Sequence, residues 1–140
     1  MAAAAVMFPD PEERTPAILI VEDEVLIRFV LADYLRECGF KVLEAGDAAE
    51  AIQILEAEAE VDIDLVFSDV QMPGEMDGFG LAQWVRRNRP KLPITLTSGD
   101  AKKSAKAKEL CENEPFFAKP YDVAKVVAHI RVRLGLKDSE

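Results

Sequence analysis

Ala17-Ile18-Leu19-Ile20-Val21-Glu22-Asp23-Glu24 is the stretch that decides how the chain is read: a short apolar run that leads straight into acids. The same form returns further on. Leu65-Val66-Phe67-Ser68 precedes Asp69, Ile94-Thr95-Leu96-Thr97 precedes Ser98, and Pro115-Phe116-Phe117-Ala118 precedes Lys119. A fifth run, Lys41-Val42-Leu43-Glu44-Ala45, has no reactive group at its end. After each run comes a stretch of helical period, and no two runs are adjacent, which predicts a parallel α/β sheet with right-handed crossovers. An open parallel sheet gathers its chemistry beyond the carboxyl ends of its strands, so four of the five runs would deliver their polar groups to one acidic pocket.

The helical stretches are read from spacing. The first is predicted over Glu24 to Cys38, burying Leu26, Phe29, Val30 and Leu35 or near neighbours, with Gly39 placed to end it. Asp47 and Glu50 have the spacing of a capping box for a second helix through Ile52, Leu55 and Ala59. The third runs from Asp77 to Arg89, with Phe79, Leu81, Trp84 and Val85 apolar, and Pro90 and Pro93 bracket the turn that follows. In the last, Val123, Val126, Val127, Ile130 and Leu134 share a face. Ala101 to Glu112 is different: it carries Lys102, Lys103, Lys106 and Lys108 with little to bury, and reads either as a solvated helical face or as a partner surface. Residues 1–15 are expected to be a flexible tail, 16–137 the domain, and 138–140 a second tail.

Composition narrows the function. The 140 residues suit one domain with a real core. A net charge of -9, from 26 acids against 17 bases, argues against sequence-independent binding of nucleic acid or anionic lipid. Cys38 and Cys111 lack CxxC spacing and read as buried or half-buried free thiols. The lone histidine, His129, leaves no material for a zinc cluster or a Ser/His/Asp triad, and reads as a solvated helix residue. No run approaches the roughly 18 apolar residues of a membrane span, and Met1 to Val6 lacks the basic leader of a secretory signal, so a soluble, cytoplasmic protein is expected.

Glu22 and Asp23 lie in a loop just past a strand, where both can face one cation. With Asp69 they make three carboxylates that repel one another unless a divalent cation sits between them. Magnesium suits such hard oxygen donors, using one or two carboxylates and phosphate oxygens. Taken singly, each acid reads as a helix cap or a surface charge, and Ser98-Gly99 or Lys119-Pro120 as an ordinary turn. Together they allow more. A carboxylate can accept a phosphoryl group if metal and a cation neutralise the new charge. Lys119 offers the cation, aimed by Pro120, while Ser98 offers a hydroxyl and Gly99 a close approach of backbone.

The motifs Ile20-Val21-Glu22-Asp23-Glu24, Ser68-Asp69-Val70-Gln71-Met72-Pro73-Gly74, Met76-Asp77-Gly78, Thr97-Ser98-Gly99 and Ala118-Lys119-Pro120 stand in the order and near the spacing of the response-regulator receiver domain of two-component signalling, which the chain resembles from Ala17 to Leu136. The resemblance implies a (βα)5 flavodoxin-like fold with strand order 2-1-3-4-5 and helices on both faces. It implies that Asp69 takes a phosphoryl group from a histidine of a sensor kinase or phosphotransfer protein. Asp23 and Asp69 would bind Mg2+ directly, Glu22 would act through water or assist, and the Gln71 carbonyl would complete the protein ligands. Ser98 and Lys119 would hold the phosphoryl oxygens. Phe116 holds the switch-aromatic position, moving with Ser98, although a core phenylalanine on an edge strand reads equally well from the residues. Gln71 and Asp100 occupy the positions that tune the lifetime of the phosphate. The chain departs from the commonest pattern at Gly74-Glu75, which lengthens the loop by one residue, and at Phe116, which lacks a tyrosine hydroxyl.

The function expected is that of a signalling phosphoacceptor, not an enzyme, with output by contact with a downstream protein through the last two helices and the fifth strand. Phosphorylation would shift a pre-existing equilibrium. A phosphate shuttle or sink, or a receiver fragment of a larger regulator, uses the same pocket. An aspartate-nucleophile phosphatase would need a proton donor two residues after Asp69, and Gln71 cannot serve. A flavodoxin-like cofactor site is the poorest reading, because no glycine loop follows the first strand.

Overall fold

The computed structural model describes residues 15–57, 62–99 and 116–136, with Phe116 described by its backbone alone. In chain order the elements are β1 (Ala17–Val21), α1 (Val25–Glu37), β2 (Lys41–Ala45), α2 (Ala48–Glu56), β3 (Leu65–Asp69), α3 (Gly78–Asn88), β4 (Ile94–Ser98), β5 (Phe116–Ala118) and α4 (Val123–Arg133). The strands form one parallel sheet in the order β2-β1-β3-β4-β5. The expected helix over 101–112, the Asp100, Ala59 and Cys111 positions, the Phe116 side chain, and the tails 1–14 and 137–140 lie outside the described residues.

All five residues of β1 are buried, which explains why the run carries no polar alternation. Its side chains feed two cores on opposite faces. Leu19 and Val21 pack with Val66, Leu96, Ala48 and Ala51 of α2, and Leu81 and Val85 of α3. Ile18 and Ile20 pack with Leu65, Phe67, Leu31 and Leu35 of α1, and Val126 and Ile130 of α4. Each fully buried leucine or isoleucine contributes about 1.5–3 kcal/mol relative to exposure. The chain leaves β1 for β2 on one side and returns to β3 on the other. The loops after β1 and β3 therefore part in opposite directions, opening the crevice in which ligands of such sheets bind.

The helix ends follow their sequence signals. Asp47 Oδ1 accepts from the Glu50 N–H at 2.8 Å, and Glu50 Oε1 reaches back to the N–H of Gly46, also at 2.8 Å. Asp77 caps α3 through the Gly80 N–H at 2.9 Å, and Asp122 caps α4 through that of Ala124 at 2.9 Å. Gly39 follows α1 at φ +97°, a conformation that favours glycine.

Two expectations are corrected. In α1 the buried residues are Leu31, Ala32 and Leu35, while Leu26, Phe29 and Val30 are 79%, 60% and 57% exposed. Leu26, Phe29 and Val30 stand seven, four and three positions before Asp33, on the solvent face that Arg36 and Glu37 continue; the face that meets the sheet is the one through Leu35 and the positions three and four before it. His129 is half-buried and partnered rather than freely solvated. Its Nε2 lies 2.9 Å from the hydroxyl of buried Thr95, and its ring stands edge-on to Phe117 at 5.1 Å. Burial and the Arg133 charge hold its pKa below the ordinary 6.5.

Candidate functional site

β1 ends at Val21, so Glu22 and Asp23 fall in the turn into α1, freed from the strict alternation of a strand. Asp69 is the last residue of β3, the strand beside β1. Carboxylate oxygens of Glu22, Asp23 and Asp69 lie within 4.8 Å of one another. Glu22 and Asp69 are 3% and 5% exposed, and Asp23 opens to solvent. Lys119, just past β5, sends its ammonium across β4 and β3 to the same place: Nζ is 2.7 Å from Glu22 Oε1 and 3.4 Å from Asp69 Oδ2. Its own N–H donates to the Ser98 carbonyl at 3.0 Å, tying the lysine to the end of β4. The Lys119–Pro120 peptide bond is cis.

Three acids thus crowd one ammonium. Burial pushes Glu22 and Asp69 above the ordinary carboxylate range, with Lys119 pulling both down and the neighbouring acids adding to the rise. Burial alone would lower Lys119, but the Glu22 hydrogen bond and the charges of Asp69 and Glu22 hold it above its ordinary value. The backbone N–H of Gln71 also bonds Asp69. The donor set is hard oxygen with surplus negative charge, and a magnesium ion with retained waters fits it.

Of the residues singled out by sequence, Glu22, Asp23, Asp69 and Lys119 converge. Ser98 is buried at the end of β4, paired with Ala118, the residue before Lys119. The Gln71 side chain is exposed. Asp100 and the Phe116 side chain lie outside the described residues, and the Phe116 backbone pairs with Leu96.

Three participants escaped the sequence reading. Gly78 sits where a Cβ would overlap the Asp69 carbonyl oxygen and come within 2.7 Å of Val70 Cα, so the loop after β3 can fold back only on a glycine. Its N–H closes that loop on the Val70 carbonyl at 2.8 Å. Tyr121 stacks edge-on to Phe67 at 5.6 Å, and burial pushes its hydroxyl up to about 12. Arg28 donates to the Glu22 carbonyl at 2.7 Å. Gly78 stands in the Met76-Asp77-Gly78 motif, but its packing role does not show there; Tyr121 and Arg28 carried no signal beyond their places after Pro120 and on α1.

Beside the acids runs an apolar groove of about 490 Å³, lined among others by Leu26, Ile27, Val30, Pro120, Tyr121 and Val123. A larger cleft of about 900 Å³, between Ile54, Leu55, Asn88, Arg89 and Leu92, shares no residue with the acidic pocket.

The fold and the pocket define a class: a doubly wound parallel sheet whose switch point holds clustered acids and a lysine. A family model described as the response regulator receiver domain matches residues 18–131. The chain belongs to that family, whose members are signalling domains of two-component systems. It is 36% identical over 123 residues to a probable chemotaxis protein CheY of Rhizobium etli, an alignment covering 84% of this chain and 92% of that protein. Among solved structures, the receiver domain of the hybrid histidine kinase CckA superposes with a TM-score of 0.68 at 37% identity, covering 84% of this chain and 98% of that one. The signal receiver domain of an HD domain-containing protein from Pseudomonas fluorescens Pf-5 gives a TM-score of 0.76 at 31% identity, covering 87% and 96%. Among the described residues, no helix is long and apolar enough to cross a membrane.

Proposed function

We propose that this chain is a phosphoacceptor of a two-component phosphorelay, with Asp69 as the accepting carboxylate. An Asp69 oxygen attacks the phosphorus of a phosphohistidine, the P–N bond breaks with its electron pair leaving on the imidazole, and an acyl phosphate forms. Lys119 and Ser98 hold the phosphoryl oxygens. Asp23 and Asp69 would ligate Mg2+ directly, with Glu22 assisting or acting through water and the Gln71 carbonyl completing the set; the ion would neutralise charge on the transferring group. The observation that carries this reading is the Lys119 ammonium set 2.7 Å from Glu22 and 3.4 Å from Asp69, inside a cluster of three acids. It is the balance of charge that a doubly anionic phosphoryl group with a divalent cation requires.

The donor is a sensor histidine kinase or histidine phosphotransfer protein. Its histidine must come within bonding distance of Asp69, and the apolar ground bordered by Lys119 is the groove of α1 and the turn after β5, with Leu26 and Val30 exposed along it. A helix carrying the phosphohistidine would lay its apolar face there. Output passes to a downstream protein through β5, α4 and the lysine-rich segment before β5. Incubation with magnesium and acetyl phosphate, followed by intact mass, tests the core of this reading. The native chain is expected to gain one phosphoryl group and Asp69→Asn none; equal labelling of both, or of neither, overturns it.

A further inference from the structure

β2 is the strand whose end bears no reactive group, yet through Glu44 it reaches the acidic pocket by way of α1. Glu44 is clamped between two arginines of that helix: Arg28 Nε lies 3.2 Å from Oε1 and Arg36 Nη2 3.2 Å from Oε2. The Arg28 side chain, 21% exposed, continues past Glu44 and donates from Nη1 to the backbone carbonyl of Glu22 at 2.7 Å. It passes over Gly46, where a Cβ would stand 3.4 Å from Nη1.

The contact falls where the backbone has no other anchor of its kind. The Glu22 N–H still joins the sheet through the Ala45 carbonyl at 3.0 Å, but its C=O points beyond the last register pair of β1. The N-cap of α1, Glu24, makes no side-chain capping bond. In its place Glu22 Oε2 accepts from the Glu24 N–H at 3.1 Å, and Arg28 reaches back to the Glu22 carbonyl. The peptide between Glu22 and Asp23 is thereby held from α1 and, through Glu44, from β2. That peptide sets the directions in which both residues offer their carboxylates.

We propose that Arg28 is a positioning residue for the cation site: fixed by Glu44, its guanidinium holds the Glu22 carbonyl and so aims the carboxylates of Glu22 and Asp23 at one point. It touches neither ion nor phosphoryl group and acts through the backbone, as partners of ligating groups do elsewhere. The proposal rests on the magnesium site of the preceding reading. A planar fork is needed to reach a carboxylate and a carbonyl together, and a lysine ammonium satisfies only one of them well.

The test is a magnesium chloride titration of the full chain, followed by the backbone amide NMR shifts around Asp69, with urea midpoints measured in parallel. Arg28→Ala is expected to bind magnesium about tenfold more weakly, Arg28→Lys roughly threefold, and Arg36→Ala within about twofold of the native chain. Arg36→Ala loosens the same α1–β2 tether without touching Glu22, so a purely structural role would make it resemble Arg28→Ala. The proposal is overturned if Arg28→Ala matches the native affinity, or if Arg36→Ala loses as much. Should Arg28→Ala not fold, Arg28→Lys decides: native affinity there overturns the proposal, and weaker binding at an unchanged urea midpoint supports it. A native chain that takes up no magnesium overturns the metal reading itself, and this inference with it.

Discussion

The Lys119 ammonium is closer to Glu22 than to Asp69, at 2.7 Å against 3.4 Å. The lysine is therefore engaged chiefly by the acid that is not the proposed acceptor. Arrival of negative charge on Asp69 would draw it the remaining distance. Loss of the Glu22 charge should do the same without phosphorylation. In Glu22→Gln, the lysine Nζ is expected to shift toward Asp69, seen as a change in its 15N resonance, with weaker magnesium binding alongside. An unchanged lysine signal would count against the engagement of Lys119 by Glu22.

Burial and mutual repulsion make ionised Asp69 costly to the fold. Asp69→Asn removes that charge while keeping the shape and an acceptor for the Gln71 N–H. In magnesium-free buffer the variant is expected to be more stable than the native chain by about 1 kcal/mol, read from urea denaturation. A destabilised variant would show that the Lys119 pairing outweighs the repulsion.

Gly78 has no room for a methyl group. Gly78→Ala forces the Asp69 carbonyl and Val70 backbone to move, and a loss of about 1–3 kcal/mol is expected from overpacking. Phosphoryl uptake should fall with it, because the displaced residue is the proposed acceptor. Urea midpoints and acetyl phosphate labelling measure the two effects separately.

His129 gives a pH dependence whose sign is fixed. Its folded pKa lies below the unfolded value of 6.5, so the unfolded chain takes up the proton first as pH falls. Its contribution is fully present above 6.5 and declines below it. His129→Gln should lose less stability than the native chain between pH 7.5 and pH 5.5, the difference isolating His129 from the carboxylates that titrate in both proteins. Equal losses would contradict the lowered pKa of half-buried His129.

Leu26 and Val30 are exposed on α1 and line the groove that Lys119 also borders. Leu26→Arg and Val30→Ser should leave stability within about 0.5 kcal/mol. They should also leave acetyl phosphate labelling intact, while slowing transfer from a phosphohistidine protein. Slowing both reactions equally would place the donor elsewhere.

Much of this was legible in the sequence, for reasons specific to certain residues. Buried parallel strands write themselves as apolar runs, and Asp69, Ser98 and Lys119 were found because each stands at the end of one. The capping box at Asp47 and Glu50 is a local device with fixed spacing, and it formed as read. What was not legible depends on contacts far apart in the chain. The phase of α1 is marked only in its second half, where Asp33, Arg36 and Glu37 define the solvent face that Leu26, Phe29 and Val30 share. His129 looked solvated until Thr95 and Phe117 were brought to it from β4 and β5. Arg28 and Glu44 are ordinary surface charges by composition; the turn into α1 brings Arg28 to Glu22, and the pairing of β1 with β2 brings Glu44 to Arg28.

The most direct test of the central claim is chemical localisation of the phosphoryl group. The native chain is treated with magnesium and acetyl phosphate, reduced with borohydride, which converts an acyl phosphate to the alcohol, and mapped by peptide mass. The account predicts reduction at residue 69 and at no other carboxylate. A label found on Glu22, Asp23 or Ser98, or a residue 69 that remains an unmodified aspartate while the chain carries phosphate, would contradict it.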